Sequence, residues 1–543
     1  MAKIGKHAID SLTRSMYDDS RCIYREYIQN AADQIDLARE QKLEEDDYYE
    51  IHVRIFRTQR RIEIEDTATG VSSKDHNALI DVATSRKKRG TRKGFRGIGR
   101  LGGLGYCKTL TFETSFKGET VKTLMHWNAE EMNRIVDDEF DESEAGKVID
   151  DCISFEEISE DPDKHYFKVV MENVTDDRLL DVDNIRDYLS MIAPVDYPTQ
   201  FNVFASQIKK YARDNNISLD VYNLYIGDET GEEKVYKGYT TKIKDSRNIK
   251  DKSRNGEYDI KGIKIFEKRD SNGGILYWGW YSISELPGQI PSSNIAYGIR
   301  LRCKNIQLGD ERTTRRFFLA EGDKRFAQWF VGELHVETPL LIPDARRDYL
   351  REGEYRVTFE RFVREDFMVL KKLCEEASGI RGIIKTITEN DKKKKDIEKK
   401  RETGSFISET EIQKSNEDYE RFKKIRKKAL LQLEKKKQET EQNGSPLGFI
   451  YGTLPTSDPS VSPKSPVSTS DEDTFGPSIY VEGSAKPAED QPKLRTDNAI
   501  YKKFGVKEKN VINAVYNAIY NAIADENIRE RLIKMIEKEL TKK

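Results

Sequence analysis

An acid, an amide and an acid are spaced for one side of a helix in the segment REYIQNAAD, residues 25–33. Glu26, Asn30 and Asp33 stand at i, i+4 and i+7, positions that share one face of an α-helix. Their oxygens are hard ligands suited to Mg²⁺, and a carboxylate among them can orient a water molecule for attack on a phosphoryl group. The alternative interpretation is the solvated polar face of an amphipathic helix.

A strand that ends in an acid follows at residues 62–71, IEIEDTATGV. Apolar residues alternate up to Asp66, and a turn of small residues closes at Gly70, as expected where a strand enters a loop. A carboxylate at the end of a strand can accept a hydrogen bond from an exocyclic amine such as that of adenine.

A third segment, GFRGIGRLGGLG at residues 94–105, contains six glycines. This density lets backbone N–H groups approach phosphates closely, and the apolar run after it is suited to a helix whose N-terminus faces an anion. A lone GxxGxG is more often a turn than a nucleotide site. The segment lies between basic residues and the strand-like KTLTFETS, which argues against a dinucleotide fold, whose glycines follow the first strand of a βαβ unit.

Residues 86–100 contain eight basic residues and no acid. Because this run enters the glycines directly, we predict a mobile lid that closes over a polyphosphate and offsets its charge. A solvated basic loop and a patch for the DNA backbone are the alternatives. The predicted lid residues are Lys87, Lys88, Lys93 and Arg96.

Together, the three segments resemble the GHKL ATPase superfamily, which includes gyrase B, the ninety-kilodalton heat-shock chaperone, histidine kinases and MutL. Its motifs are E-x-x-x-N-A-x-D, D-x-G-x-G and G-x-x-G-x-G. In this chain Ala68 occupies the position of the first glycine of the second motif. The resemblance implies that Glu26 is the general base, that Asn30 is the Mg²⁺ ligand and that Asp66 recognises adenine. The residues that it places around ATP are Asn30, Asp33, Asp66, Gly70, Gly94, Gly97, Ile98 and Gly99.

The resemblance implies an α+β fold whose first domain, residues 1–180, is a two-layer α/β sandwich of the Bergerat type. The sequence pattern agrees with that architecture, since residues 1–40 have helical spacing and residues 48–65 have the period of paired strands. KTLTFETSFKG and ETVKTLMHW predict a hairpin, and HYFKVVMENV predicts the last strand of the sheet.

Residues 181–376 predict a second α/β domain of the middle or transducer type. Its segment LLIPDARRDYL resembles the middle domain of the ninety-kilodalton heat-shock family, where an N-x-x-R-E segment delivers an arginine to the γ-phosphate. The resemblance implies that Arg347 is this catalytic residue, and its planar fork suits bidentate phosphate binding. Arg346 and Lys304 are alternative candidates for this role, and a lysine is possible because the MutL and gyrase branches use one. The non-catalytic alternative is that these basic residues form salt bridges on a strand face.

The last third of the chain changes in composition. Residues 377–442 predict a charged helical arm, whose apolar positions are sparse for a long coiled-coil seam, so that a dimeric coiled coil is the lesser alternative. Residues 443–497 are rich in proline and serine and predict a disordered linker. Residues 498–543 return to helical spacing and predict a small helical module.

The bulk composition limits the class of protein. There is no run of 18 apolar residues, and MAKIGKHAID has no apolar h-region, so we expect a cytoplasmic protein that makes no contact with a membrane. Five scattered cysteines without a CxxC pair argue against a disulfide framework or a zinc site. A net charge of −3 gives no global attraction to nucleic acid.

The leading functional hypothesis is a chaperone-like ATPase of bacterial type, resembling the ninety-kilodalton heat-shock family. ATP with Mg²⁺ would close the lid and join two copies into a homodimer that acts on a protein client. One alternative is an ATP-gated DNA clamp like MutL or MORC proteins, with a role in phage defence by analogy alone. Another is a nucleotide-dependent scaffold that does not hydrolyse ATP and recruits an effector.

Overall fold

The computed structural model describes residues 4–45, 48–80, 93, 99–244, 257–270 and 272–453. These residues belong to one compact unit, Met1–Pro459. The predicted module at 498–543 and the linker from residue 454 onward lie outside the described residues. No helix within the described ranges is long and apolar enough to span a membrane.

The first sheet lies beside a layer of helices. Its strands are β1 (Glu50–Phe56), β2 (Arg61–Asp66), β3 (Thr109–Ser115), β4 (Val121–Asn128), β5 (Ile153–Ser159), β6 (Tyr166–Glu172), β7 (Asn223–Asp228) and β8 (Gly231–Lys234). Its helices are α1 (His7–Leu12), α2 (Cys22–Gln41), α3 (Asn77–Ile80), α4 (Ala129–Asp137), α5 (Ala145–Asp151) and α6 (Val182–Ile192). The strand order among these eight is β5-β4-β3-β6-β2-β1-β7-β8.

Helix α2 forms the centre of this layer because one of its faces is apolar at helical spacing. Ile28, Ala32 and Ile35 are buried against the sheet's inner residues, which include Ile62 and Ile64 of β2. The burial of β1 and β2 alternates residue by residue, as half-buried strands require. The first part of the chain is therefore a two-layer α/β sandwich, as predicted.

The predicted hairpins and the predicted strand HYFKVVMENV are confirmed, but this strand is not the last of the sheet, because β7 and β8 follow it along the chain. β1 pairs with β2 and β3 pairs with β4, both antiparallel. HYFKVVMENV forms β6, which lies in the middle of the sheet between β3 and β2. The edge beyond β1 is instead occupied by β7, which pairs with β1 in parallel, and by β8. The packing around α2 consequently continues to Val235, well past the predicted boundary at residue 180.

A second, six-stranded sheet follows. Its strands are β9 (Lys242–Lys244), β10 (Glu257–Arg269), β11 (Ile275–Ser284), β12 (Gly298–Cys303), β13 (Ile306–Gln307) and β14 (Val331–Val336), in the order β13-β12-β14-β11-β10-β9. Helix α7 (Asn202–Asp214) packs on one face, where Trp278 and Trp280 are buried. Tyr277 and Tyr281, which alternate with the two tryptophans on β11, face the other side and the long helix that follows the sheet.

That helix, α8 (Glu354–Thr403), pairs with α9 (Glu409–Gln442) as an antiparallel hairpin. Gly404, with a φ of 64°, ends α8, and Ser408 caps α9 by accepting the Glu411 N–H at 3.2 Å. The predicted charged arm is therefore helical, and each helix has its partner within the same chain. Ile387 is the last buried hydrophobic residue of α8, and Ala429 is the first of α9. The end of the hairpin between these two residues therefore projects from the sheet.

The folded part extends about ten residues past the predicted start of the linker. A short 3₁₀ helix, Gly448–Thr453, follows α9. Leu447, Ile450 and Tyr451 are buried in the same core as α8. Their apolar surface explains why the chain stays packed here before the proline-rich sequence begins.

Candidate active site

The acidic face of α2 is buried, which a solvated polar face would not be. Glu26 and Asp33 are only 7% and 2% exposed, and Asn30 is partly exposed. Oε1 of Glu26 accepts no hydrogen bond from any described residue, while Nε of Arg25 lies 3.6 Å from it. A buried carboxylate with an open acceptor atom is ready to bind a polar group that is not part of the chain.

Gly99 packs directly against this carboxylate. A Cβ atom at position 99 would come within 2.5 Å of Oε2 of Glu26, so only glycine fits without displacing the acid. The 3₁₀ helix Gly99–Gly105 starts here. Tyr27 of α2 holds this helix, because its hydroxyl accepts the Gly103 N–H at 3.0 Å and donates to the Arg100 carbonyl at 3.1 Å.

Lys93 is tied to α2 by both its backbone and its side chain. Its N–H donates to Oδ1 of Asp33 at 2.7 Å. Its Nζ lies 2.7 Å from Asp36 and 2.9 Å from Asp220, and it contacts the Tyr222 hydroxyl. Lys93 was predicted to offset the charge of a bound polyphosphate. In the structure its ammonium group is instead neutralised by the carboxylates of Asp36 and Asp220.

The other members of the predicted lid and phosphate loop lie outside the described residues and stay predictions. They are Lys87, Lys88, Gly94, Arg96, Gly97 and Ile98.

At one end of the sheet, the inner face changes from apolar to polar. Ile62 and Ile64 are followed on the same face by Asp66, which is 4% exposed. Asp66 lies opposite Phe167 of β6, and Phe167 lies opposite Thr114 of β3. Side chains in such directly opposed positions share a face, so an acid and a hydroxyl flank one aromatic ring.

The loop after Asp66 is fixed by groups that sequence reasoning did not assign. Thr114 accepts the Val71 N–H at 2.8 Å and donates to the Tyr166 carbonyl at 3.0 Å. His165 donates through Nδ1 to the Ala68 carbonyl. The signal that could have indicated Thr114 is a threonine in register with the apolar inner residues Leu110 and Phe112 of its strand.

Backbone conformation explains the loop's composition. Gly70 has a φ of 64°, and a Cβ atom there would lie 1.9 Å from the Ser115 carbonyl oxygen, so glycine is required. Ala68, at the position of the missing family glycine, has no positive φ and is fully buried. The alanine therefore fits this loop without backbone strain.

A loop of the second sheet brings Arg347 to the same place. Arg347 is 7% exposed and donates through Nη1 to the Lys93 carbonyl at 2.7 Å. Burial lowers the pKa of Arg347, and the negative charges of Glu26 and Asp33 oppose that shift. The arginine stays charged over the whole working range of a protein because its ordinary pKa is so high.

The two alternatives to Arg347 differ in their positions. The Arg346 side chain is 50% exposed, and its carbonyl oxygen accepts a hydrogen bond from Arg25 of α2 at 2.7 Å. Lys304 lies near enough to Asp33 of the acidic face for the two charges to interact. Burial and the charge of Lys93 lower the pKa of Lys304, whereas Asp220 and Asp33 raise it. The geometry thus favours Arg347 over Arg346 and keeps Lys304 beside the site.

Residues 25–157 match the family model described as histidine kinase-, DNA gyrase B-, and HSP90-like ATPase. This segment is a GHKL-type ATPase domain. The match covers 133 of the 543 residues and includes most of α2, the Asp66 loop and the glycine segment. No curated protein matches the chain. The GHKL domain supports ATP binding, and the loops with Arg347 and Lys304 lie beyond its matched range.

The described residues of the GHKL domain fit ATP with Mg²⁺. Oε1 of buried Glu26 keeps an unused hydrogen-bond acceptor beside the charge of Arg25, and Gly99 packs closely on the same carboxylate. No group of three His, Cys, Asp or Glu residues in the described ranges forms a metal site by itself. Mg²⁺ commonly binds through one or two protein oxygens together with phosphates and waters, which suits Asn30 as its protein ligand.

We expect Asp66→Asn to weaken ATP binding by about 1.5–3 kcal/mol, the usual value of a hydrogen bond to a charged group. The amide would present a donor to the adenine amine in one orientation and a weaker acceptor in the other. Isothermal titration calorimetry of ATP measures the change. Glu65→Gln, a charge-matched change on the outer face of the same strand, serves as the control. Equal affinity in Asp66→Asn and wild type would contradict the adenine role.

Proposed function

We propose that this chain is a Mg²⁺-dependent ATPase that works as an ATP-gated conformational switch. The observation that carries the proposal is the meeting of α2 with the loop that carries Arg347. Lys93 donates its N–H to Asp33 of α2 and accepts a hydrogen bond from Arg347, and the charge of Glu26 acts on the Arg347 guanidinium. An acid able to activate water and an arginine able to bind a phosphoryl group are the two side chains that ATP hydrolysis requires most.

The proposed reaction uses each residue in one role. Glu26 accepts a proton from a water molecule as the water oxygen attacks the γ-phosphorus of ATP. The bond from the γ-phosphorus to the β–γ bridging oxygen breaks, and ADP leaves with the electron pair while inorganic phosphate forms. Arg347 offsets the charge on the γ-phosphoryl oxygens. Mg²⁺, held by Asn30, would neutralise charge on the β- and γ-phosphates.

The switch follows from where the arginine is located. Arg347 lies seven residues before the start of α8, so a γ-phosphate that engages it would bias the position of the α8–α9 hairpin. Hydrolysis and phosphate release remove the γ-phosphate charge from Arg347 and so reset that position. In the proposed cycle, ATP also joins two copies into a homodimer, and the hairpin transmits the change to a protein client.

Steady-state phosphate release tests this proposal. We expect a Mg²⁺-dependent rate that an unfolded client protein increases, and a dimer by light scattering with a non-hydrolysable ATP analogue but not with ADP. Stimulation by duplex DNA instead of protein would favour a clamp. Bound ATP without hydrolysis under any of these conditions would leave only the scaffold.

One observation favours the DNA clamp as a second candidate. The α8–α9 hairpin places two basic runs side by side, since Arg426 pairs with Asp391 and Nζ of Lys393 lies 5.3 Å from the ring of Phe422. Neither run contains an acid, and most of their side chains are exposed. This basic girdle consists of Lys392, Lys393, Lys394, Lys395, Arg421, Lys423, Lys424, Arg426, Lys427 and Lys428.

If the girdle binds DNA, the triple change Lys392→Gln, Lys395→Gln and Lys424→Gln should weaken binding and flatten its salt dependence. Each lost phosphate contact lowers the slope of log K against log salt by about 0.9. Fluorescence anisotropy with a labelled DNA duplex measures both quantities. Glutamine at Lys435, Lys436 and Lys437 removes the same charge from α9 outside the girdle. Equal losses in the two triple variants would show that the girdle is no specific site for DNA.

A further inference from the structure

A cluster of charged side chains is buried in the second sheet, away from the acidic face of α2. Glu333 of β14 is fully buried on the face toward α7. Nζ of Lys237 lies 2.8 Å from its carboxylate and Nε of Arg302 lies 2.6 Å away. The aromatic groups and the histidine that surround this carboxylate within hydrogen-bonding reach are Tyr197, Tyr239, Trp280 and His335.

Stability alone does not account for such a cluster. Burying charged groups costs desolvation free energy, and the attraction within an ion pair often does no more than offset that cost. Apolar residues of similar volume would frequently give a fold of equal stability. This cost is visible at Lys237, because burial lowers the pKa of its ammonium group to about 7. A buried ionic group is better understood by what it holds in place, and here both cations have a second partner.

That partner is Asn305. Lys237 donates to Oδ1 of Asn305 at 2.8 Å, and Arg302 donates through Nη1 to the Asn305 carbonyl at 2.9 Å. Asn305 is 4% exposed and stands in the turn between β12 and β13. Lys304 and Asn305 both have left-handed backbones, with φ of 52° and 60°, as a tight two-residue hairpin turn requires.

From Asn305 a continuous series of contacts leads to the active site. Nδ2 of Asn305 donates to the Asp220 carbonyl at 2.7 Å. The Asp220 carboxylate lies 2.9 Å from Nζ of Lys93, and the Lys93 carbonyl accepts the hydrogen bond from Arg347 at 2.7 Å. The Lys93 N–H in turn donates to Asp33 of α2. Three residues, Asn305, Asp220 and Lys93, thus join the buried cluster to the guanidinium that we assign to the γ-phosphate.

We propose that Asn305 is a positioning residue for ATP hydrolysis, which acts through Asp220 and Lys93 to orient Arg347. The Glu333 cluster supplies the rigid anchor, because Lys237 and Arg302 fix Asn305 from the interior of the second sheet. This inference rests on the proposed ATPase function, but the contacts that it invokes exist without nucleotide.

Asn305→Gly is the decisive variant, because glycine keeps the left-handed backbone while both side-chain hydrogen bonds are lost. We expect kcat to fall about 10- to 100-fold, as for a misplaced catalytic group, with KM and ATP affinity changed less than about twofold. Asn216→Gly is the matched control: Asn216 also has a left-handed φ, of 54°, and is exposed at the end of α7. Its kcat should equal that of wild type.

Two further variants separate positioning from a general loss of structure. Asn305→Asp keeps the acceptor for Lys237 but loses the donor to Asp220, so it should not restore kcat. Asp220→Asn should lower kcat like Asn305→Gly, and the double variant should be no slower than either single one. Additive losses, or an unchanged kcat in Asn305→Gly, would overturn the proposal. If Asn305→Gly does not fold, Asp220→Asn is compared with wild type by the same two kinetic constants.

Hydrogen exchange without nucleotide keeps this test apart from the proposed function. The peptide that carries residues 342–350 should exchange faster in Asn305→Gly than in wild type and in Asn216→Gly. If wild type hydrolyses no ATP, the proposed function fails while faster exchange still supports the positioning role. Unchanged exchange in that peptide overturns the positioning role whether or not the chain is an ATPase.

Discussion

We expect Glu26→Ala to bind ATP with nearly the affinity of wild type and to hydrolyse it at least about 100-fold more slowly. A positioned general base contributes about 10²–10⁴-fold to the rate. The Glu26 carboxylate has an open acceptor oxygen and packs on Gly99, so its removal takes away proton acceptance and leaves the Asp66 loop unchanged. Phosphate release measures the rate, and calorimetry measures ATP binding.

Two companion variants make that result interpretable. Glu26→Gln keeps the size of the side chain and its packing against Gly99 but cannot accept the proton, so it should be as slow as Glu26→Ala. Glu40→Ala changes an exposed glutamate near the end of the same helix and should keep the wild-type rate. Full hydrolysis by Glu26→Ala or Glu26→Gln would rule out the assigned base, and loss of activity in Glu40→Ala would point to destabilised α2.

Arg347→Ala should lower kcat by about 10³-fold, the lower end of what an arginine on a transferring phosphoryl group contributes. Its guanidinium is buried and donates to the Lys93 carbonyl, so it is already held beside the acidic face of α2 before nucleotide arrives. Arg347→Lys should lie between wild type and alanine, because lysine keeps the charge but lacks the planar fork. Single-turnover phosphate release separates this effect from product release.

The neighbouring arginine supplies the matched control. Arg346 is half exposed, and its carbonyl rather than its side chain contacts Arg25, so Arg346→Ala should keep kcat within about threefold of wild type. A larger loss in Arg346→Ala than in Arg347→Ala would move the assignment to Arg346. Near-normal hydrolysis in both variants would leave Lys304 as the cation of this site.

The local elements of the ATP site were predictable because their spacing has one geometric meaning. Helical periodicity places Glu26, Asn30 and Asp33 on one stripe in any helix, and strand periodicity places Asp66 on the inner face with Ile62 and Ile64. The two hairpins were predictable for the same reason. These features depend on residues fewer than about twenty positions apart, where backbone geometry restricts the possible arrangements.

The order of strands was not available from local patterns. β6 has the alternation of any half-buried strand, and nothing in that alternation distinguishes an edge from the centre of a sheet. Its central place follows from its pairing with β3 on one side and β2 on the other. The long-range parallel pairing of β7 with β1 extends the packing around α2 past residue 180.

The sequence by itself determined the acidic helix, the Asp66 strand and loop, the glycine segment and the family that these motifs indicate. The tertiary structure alone decided that Lys93 is neutralised by Asp36 and Asp220, and that Arg347 rather than Arg346 faces the acidic stripe. The physical reason is separation along the chain. The Arg347–Lys93 hydrogen bond joins residues 254 positions apart, and only the packing of the whole chain can bring such groups together.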